Sequence, residues 1–309
     1  MSLRVRKPGL FTMIQDLGRP GQGRWGVSPC GAMDPLALRL ANLLVGNDAG
    51  AAALEVTLKG PELMFEEEAA FALTGANLGA TLDGTALPWG QAQRAQAGQV
   101  LQFGARAQGA RAYVAVAGGL GRSARRFLNS VATDLDAGLG GLDGRPLRAG
   151  DTLALEPQPS FQARTVHGAW ERWYQPPDVV RFIPEPGTPL PAAAVEGFQA
   201  ARFRISSKSN RVGYRLEGAV LPAETGGLQL SEPVAPGTIQ LPPNGQPIVL
   251  MADRQTTGGY PRLGHVIRAD VPKLAQLWLG DAVTFRAVTL DEARQALAEL
   301  QSWLEKAVA

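Results

Sequence analysis

Val249-Leu-Met-Ala-Asp-Arg-Gln-Thr-Thr257-Gly258 runs from an apolar, strand-like segment into a Thr-Gly pair, and Phe71-Ala-Leu-Thr74-Gly75 ends in the same way. Gly75 stands 23 positions before the turn glycine of Gly98-Gln-Val-Leu-Gln-Phe103, and Gly258 stands 22 before that of Gly280-Asp-Ala-Val-Thr-Phe285. Upstream, Arg24-Trp-Gly26 is followed after four residues by Gly31-Ala32, and Arg211-Val-Gly213 after four by Gly218-Ala219. Three landmarks in one order at near-equal spacing imply two copies of one β unit. A third such strand, Gly150-Asp-Thr-Leu-Ala-Leu155, falls between the copies and belongs to neither.

The rest of the chain reads the same way. Its 37 Gly and 23 Pro punctuate short apolar runs, the pattern of a many-turned β protein. Helical patterns are few. Asp34-Pro35 opens an apolar-periodic run to Val45 that stops at Gly46-Asn47, with Asp34 as N-cap rather than catalyst. Thr289 to Val308 places Ala293, Ala296, Leu297, Leu300, Trp303 and Leu304 along one face. Val271 to Leu277 has room for a turn or two. The cleanest linker is Gln175-Pro-Pro-Asp178, after Trp170, Trp173 and Tyr174. The expected organisation is a β lobe with extra strands over 1–175, a second over 176–289, and a C-terminal helix over 290–309. Closed barrels are one way for such short strands to avoid exposed edges.

Several classes drop out on composition. At 309 residues the chain suits two domains or one large one, with 45% apolar and 19% charged residues. No apolar run approaches a membrane span, and Met1-Ser-Leu-Arg-Val-Arg-Lys7 lacks the apolar core of a signal peptide, so the expected location is the cytoplasm. One cysteine, Cys30, excludes an internal disulfide, and with only His167 and His265 no metal centre is expected. A net charge of +2 with scattered basic residues argues against nucleic acid. There is no Gly-x-x-x-x-Gly-Lys-Ser/Thr loop, no Gly-x-Ser-x-Gly elbow and no Met-Lys-Met segment for covalent biotin.

Two polar stretches concentrate chemistry. Asp253-Arg-Gln-Thr-Thr-Gly-Gly-Tyr-Pro261 joins an acid, a guanidinium, an amide and two hydroxyls to a Gly-Gly pair. Such a loop can turn backbone N–H groups and a carboxylate toward a ligand, or simply cap a wide turn. In Ser207 to Gly218, strand alternation puts Arg211, Gly213 and Arg215 on one face, spaced to hold a carboxylate or phosphate, or to pair with nearby acids. Asn210 adjoins them. Glu232 and Gln240 either flank the same mouth or mark strand ends. In the first lobe Asp16, Arg19 and Ser28 are secondary candidates.

Six motifs occur in one order: Pro8-Gly-Leu-Phe-Thr-Met-Ile-Gln-Asp-Leu-Gly-Arg-Pro-Gly21, Gly31-Ala-Met-Asp34, Ala41-Asn-Leu-Leu-Val-Gly-Asn47, Leu73-Thr-Gly-Ala76, Ser209-Asn-Arg-Val-Gly-Tyr-Arg-Leu-Glu-Gly218 and Asp253 to Pro261. In these the chain resembles the biotin-dependent carboxyltransferase family, also called the allophanate hydrolase subunit 2 family, over residues 3–288. Within that family its stand-alone length is that of the 5-oxoprolinase C-type subunits. The resemblance implies a mainly β protein of two cyclophilin-like β-barrel lobes related by internal duplication, with a few short helices and a C-terminal helix. It also implies a small-molecule substrate, a B-like partner protein and a separate A-type subunit. The complex would open 5-oxo-L-proline to L-glutamate with ATP, and this chain alone would be inactive. ATP belongs to the complex and need not touch this chain. The resemblance keeps two alternatives open, the carboxyltransferase part of a biotin-dependent urea or amide carboxylase and a non-catalytic antagonist of a kinase-inhibitor-like partner.

On this reading Asp253 and Gln255 are the catalytic candidates, with Asp253 as base or orienting acid. Arg211 and Arg215 hold an anion, and Asn210, Thr256, Thr257, Gly258, Tyr260, Glu232 and Gln240 line the site. One segment departs from the family: Leu120-Gly-Arg-Ser-Ala-Arg-Arg-Phe-Leu-Asn-Ser-Val-Ala-Thr133 lacks its Ser-Arg-Ser-Thr pattern, so no site role is assigned there.

Overall fold

The computed structural model describes residues 1–121, 123–156, 163–167, 179–223 and 230–308. They divide into two compact units that are not contiguous in sequence. One unit comprises Met1–Arg19, Cys30–Gln175 and Trp303–Ala309; the other comprises Pro20–Pro29 and Pro176–Ser302. The expected single cuts at 175 and 289 therefore miss two exchanges. Pro20–Pro29 joins the second unit, where the Ser28 hydroxyl donates to the Arg254 carbonyl (3.1 Å). The C-terminal residues join the first, where His167 N–H donates to the Ala307 carbonyl (2.7 Å).

In the first unit the strands are β1 (Ser2–Lys7), β2 (Phe11–Gln15), β3 (Ala53–Thr57), β4 (Glu62–Phe65), β5 (Ala69–Asn77), β6 (Thr81–Leu82), β7 (Thr85–Ala86), β8 (Ala92–Ala95), β9 (Val100–Gln102), β10 (Gln108–Val116) and β11 (Thr152–Ala154). They form a six-stranded sheet, β11-β1-β4-β9-β6-β7, and a five-stranded sheet, β2-β3-β10-β5-β8. Alternate residues from both enter one core, among them Leu3, Val5, Leu63 and Phe65 from one sheet and Ile14, Leu54, Val56, Phe71, Leu73 and Val114 from the other. The intervening residues of the five-stranded sheet, such as Glu55, Thr74 and Tyr113, are buried as well. Helix α1 (Pro35–Leu44) covers that face, and the Thr74 hydroxyl donates to the Ala37 carbonyl (2.6 Å). Coverage on both faces is why β5 reads as a continuous apolar run. Asp34 caps α1, its carboxylate accepting from Ala37 N–H (2.9 Å), and Pro35 occupies the first turn as expected.

In the second unit seven strands close into a barrel: β12 (Val179–Pro184), β13 (Arg202–Ile205), β14 (Gly213–Glu217), β16 (Thr238–Gln240), β17 (Ile248–Leu250), β19 (Arg262–Val266) and β20 (Ala282–Ala287). The parallel pairing of β12 with β20 completes the circuit. Two further strands, β15 (Glu232–Pro233) and β18 (Thr257–Gly258), form a separate two-stranded ribbon. Helix α2 (Ala192–Ala200), which carries no capping side chain and is not legible in the sequence, inserts Phe198 among Phe182, Phe203 and Phe285. Phe198 stacks on Phe285 with centroids 4.4 Å apart. Helix α3 (Val271–Ala275) is the short helix expected after Asp270. Helix α4 (Leu290–Lys306) starts at Thr289, whose N–H and hydroxyl both donate to Glu292 while its hydroxyl accepts from Glu292 N–H, a capping box. No helix among the described residues is long and apolar enough to cross a membrane.

The two turn glycines of the repeat, Gly98 and Gly280, share a left-handed backbone (φ 83° and 85°) ahead of β9 and β20. Their Thr-Gly landmarks differ. Thr74-Gly75 lies inside the long β5, whereas Thr257-Gly258 stands in the ribbon outside the barrel.

Candidate functional site

The polar loop leaves the barrel at the end of β17. Backbone pairing continues past the strand ends, with Met251 N–H on the Val212 carbonyl and Asp253 N–H on the Arg211 carbonyl (both 2.9 Å). That register sets the Arg211 guanidinium against the Asp253 carboxylate. Nε meets Oδ2 at 2.7 Å and Nη2 meets Oδ1 at 2.8 Å, a two-point fork. Their side chains are 7% and 11% exposed. Asp253 is thus held by Arg211 on both oxygens, and Arg211 turns two of its nitrogens toward an acid of its own chain.

The expected face shared by Arg211 and Arg215 does not form, because β14 begins only at Gly213. Arg211 precedes it in a turn that Asn210 stabilises by accepting from Val212 N–H (2.9 Å) and Gly213 N–H (3.3 Å). Arg215 is exposed on the barrel between buried Tyr214 and Leu216. Asn210 thus shapes the Arg211 turn, and the two arginines do not share a strand face.

Beyond Asp253 the loop is pinned at several points. The Arg254 guanidinium donates to the Val234 and Met251 carbonyls (3.3 and 3.4 Å), and Val234 N–H donates to the Thr256 carbonyl (3.1 Å). The ribbon pairs Glu232 with Gly258 and Pro233 with Thr257. Arg262 binds the Glu232 carboxylate at 2.9 Å and the Pro233 carbonyl at 3.2 Å. Gln255, Thr257 and Tyr260 are left exposed, with Thr256 and Gly258 half-buried. Gln240, on β16, lies beneath Gly258 and is 2% exposed. Ser28, Glu232, Gln240 and Asp253 to Gly258 thus share one neighbourhood, joined by Arg254, the guanidinium of the polar stretch, and by Arg262, neither of which was given a site role on its sequence. Both are ordinary basic residues until the fold shows their partners.

Asp16 and Arg19 belong to a different cluster, in the first unit. The Asp16 carboxylate accepts from Gly18 N–H, the Ser130 hydroxyl and Val131 N–H, each at 2.7 Å. Arg19 is fully buried, donates to the Ala132 carbonyl and lies 3.7 Å from Asp134. Gln15 donates to the Thr133 carbonyl (3.1 Å). Both candidates therefore fasten the segment Ser130–Asp134, part of which was given no role on its sequence. Nothing local signals this junction, since its partners lie 114 and 115 positions apart.

A second buried polar group sits under α1. The Tyr113 hydroxyl donates to Glu55 (2.6 Å) and accepts from Asp34 N–H (2.9 Å), while Glu55 also accepts from Met33 N–H (2.9 Å). Burial, reinforced by the charges of Glu55 and Asp34, raises the Tyr113 phenol well above its usual range. In the barrel, His265 bridges Glu185 (Nε2, 2.7 Å) and Thr238 (Nδ1, 3.1 Å). Among the described residues no group of three or more His, Cys, Asp or Glu side chains is placed to share a metal ion.

The family model of the carboxyltransferase domain, subdomain A and B, matches residues 25–287. Over 98% of its length the chain is 42% identical to the 5-oxoprolinase C subunit of Escherichia coli (strain K12), covering 97% of that protein. It is 38% identical to the 5-oxoprolinase C subunit of Haemophilus influenzae, over 95% of this chain and 93% of that one. The crystal structure of the K. lactis urea amidolyase matches 99% of the chain with a TM-score of 0.89 at 27% identity, and the chain spans 20% of that protein. The chain belongs to the family of the carboxyltransferase domain, subdomain A and B.

Proposed function

We propose that the chain is the C-type subunit of a 5-oxoprolinase, a hydrolase complex that opens 5-oxo-L-proline to L-glutamate with ATP in the cytoplasm. One observation carries this reading: 42% identity to a 5-oxoprolinase C subunit, with 98% of this chain and 97% of that one covered. A match end to end on both sides carries over to the role of the whole chain better than a match to one domain of a longer protein. Membership of a complex also implies partners, proposed here as a B-like protein and a separate A-type subunit. ATP is assigned to the complex, and need not touch this chain.

The lactam bond is resonance-stabilised, and opening it demands donors for its carbonyl oxygen and control of the charge that develops there. Gln255, Thr256, Thr257 and Tyr260 are proposed as the groups that meet substrate. The Arg211–Asp253 fork and the Glu232–Arg262 pair are proposed as the braces that aim them. Asp253 is proposed to act by orientation, with each of its oxygens accepting from Arg211.

Reconstitution tests the reading. Mixed with its A-type and B-like partners, the purified chain is expected to support ATP-dependent glutamate release, and alone to support none. A folded, complete trio that yields no ATP-coupled glutamate from 5-oxo-L-proline defeats the proposal. The fold match to urea amidolyase across 99% of the chain favours one second reading, a carboxyltransferase of a biotin-dependent complex. That reading requires a biotinyl carrier, so avidin would then block turnover.

A further inference from the structure

The floor of the polar loop holds a donor that no described residue accepts. Gln240 is 2% exposed, and its Nε2 is buried with no acceptor in reach among the described residues. Native folds seldom keep such a group, because an unsatisfied buried donor is a standing cost. Gly258 lies directly against it. A Cβ added at Gly258 would collide with Gln240 Nε2 and would lie 3.4 Å from both Gln255 Nε2 and Val234 Cγ1. The Gly258 backbone is outside the left-handed region, so space and not conformation demands glycine here. Two carboxamide nitrogens thus converge on one point, one from the barrel wall and one from the exposed loop.

Charge decides what could sit there. Three arginines of the surrounding segments are committed, Arg211 to Asp253, Arg262 to Glu232, and Arg254 to the carbonyls of Val234 and Met251. The donors at the convergence point are both uncharged. Two uncharged N–H groups suit a neutral carbonyl oxygen, whereas a carboxylate would bring a charge into a nearly buried position at greater cost. We propose that Gln240 and Gln255 form a subsite beneath Gly258 for the carbonyl oxygen of an uncharged amide, a lactam or a urea. Because a Cβ on Gly258 would already collide with Gln240 Nε2, the proposed subsite takes the oxygen only if the β15–β18 ribbon, two residues per strand, moves off Gln240. The proposal rests on reading the chain as part of an amide-processing complex, and it adds which atoms receive the amide.

The full-length chain tests it by substitution. Gln240→Met keeps the bulk and deletes the donor; no protein acceptor of Nε2 is lost, so Tm should hold or rise. Uncharged 2-pyrrolidinone, followed through the Gln255 side-chain amide in nitrogen-15 spectra, should bind roughly three- to tenfold more weakly to that variant. Gly258→Ala should abolish the shift, and acetate should produce none in the wild type. In the reconstituted complex Gln240→Met should raise KM for 5-oxo-L-proline. Equal binding of 2-pyrrolidinone by wild type and both variants overturns the subsite, as does a wild type whose Gln240 and Gln255 amides ignore both 2-pyrrolidinone and urea. An inactive wild-type complex whose amides still respond to either ligand sinks the oxoprolinase reading and leaves the subsite standing. An active complex indifferent to Gln240→Met, with no amide response, does the reverse.

Discussion

At the scale of single residues, Arg211 and Asp253 show what pairing does to a polar side chain. Both were candidates to meet a ligand, and both are instead satisfied by each other across 42 positions of sequence. Removing one partner of a nearly buried pair strands the other charge. Arg211→Met is therefore expected to lower unfolding free energy in urea by about 3–5 kcal/mol. The double substitution Arg211→Met with Asp253→Leu should recover part of that loss. Should the double variant be no more stable than Arg211→Met alone, the stranded-carboxylate account fails. Asp34 was legible because its cap acts within three positions of itself, whereas Asn210, read as lining the site, turns out to hold the Arg211 turn. The partner of Arg211 was not legible, since no local pattern distinguishes a strand-end arginine that meets solvent from one that meets an acid.

At the scale of elements, carboxylates tie segments together and make the fold sensitive to acid. Arg145 hydrogen bonds, ahead of the opposing effect of burial, hold the Asp151 carboxyl below its usual range next to β11. Burial pushes the Asp270 carboxyl up, but bonds from Arg181 of β12 and the Lys273 charge of α3 bring it below its usual range overall. A folded-state value below that of the unfolded chain means the stabilisation is fully present above about pH 4 and is lost as pH falls through the lowered values. Thermal melts should accordingly hold level from neutral pH to about 5 and fall below about 4. Arg181→Met should flatten the acid limb by removing the Asp270 contribution; identical acid slopes in variant and wild type would rule that contribution out. Helices α1 and α4 were readable because a cap and a 3.6-residue stripe are local signals, while α2, uncapped and burying only Ala194 and Phe198, leaves neither.

For the whole molecule, the chain's route matters more than its segments. The compact units exchange Pro20–Pro29 and Trp303–Ala309, so neither half of a chain cut at residue 175 is a complete unit. The half beginning at residue 176 lacks Ser28, which holds the Arg254 carbonyl beside the polar loop. Expressed alone, that half should exchange its amides at residues 253–258 faster than the full chain, and equal protection in both would show that Pro20–Pro29 contributes nothing to the loop. The sequence by itself determined the β-rich class, the caps and stripes of α1 and α4, and the concentration of polar groups at Asp253 to Pro261. Each depends on neighbours within a few residues, where periodicity and capping chemistry act. Only the tertiary structure decided that Arg211 pairs with Asp253, that Asp16 and Arg19 fasten a distant segment, and that Gln240 points toward Gly258 a donor that no described residue accepts. Those facts arise from strand register and from loops distant in sequence that meet within one unit, and register brings together residues that no local pattern relates.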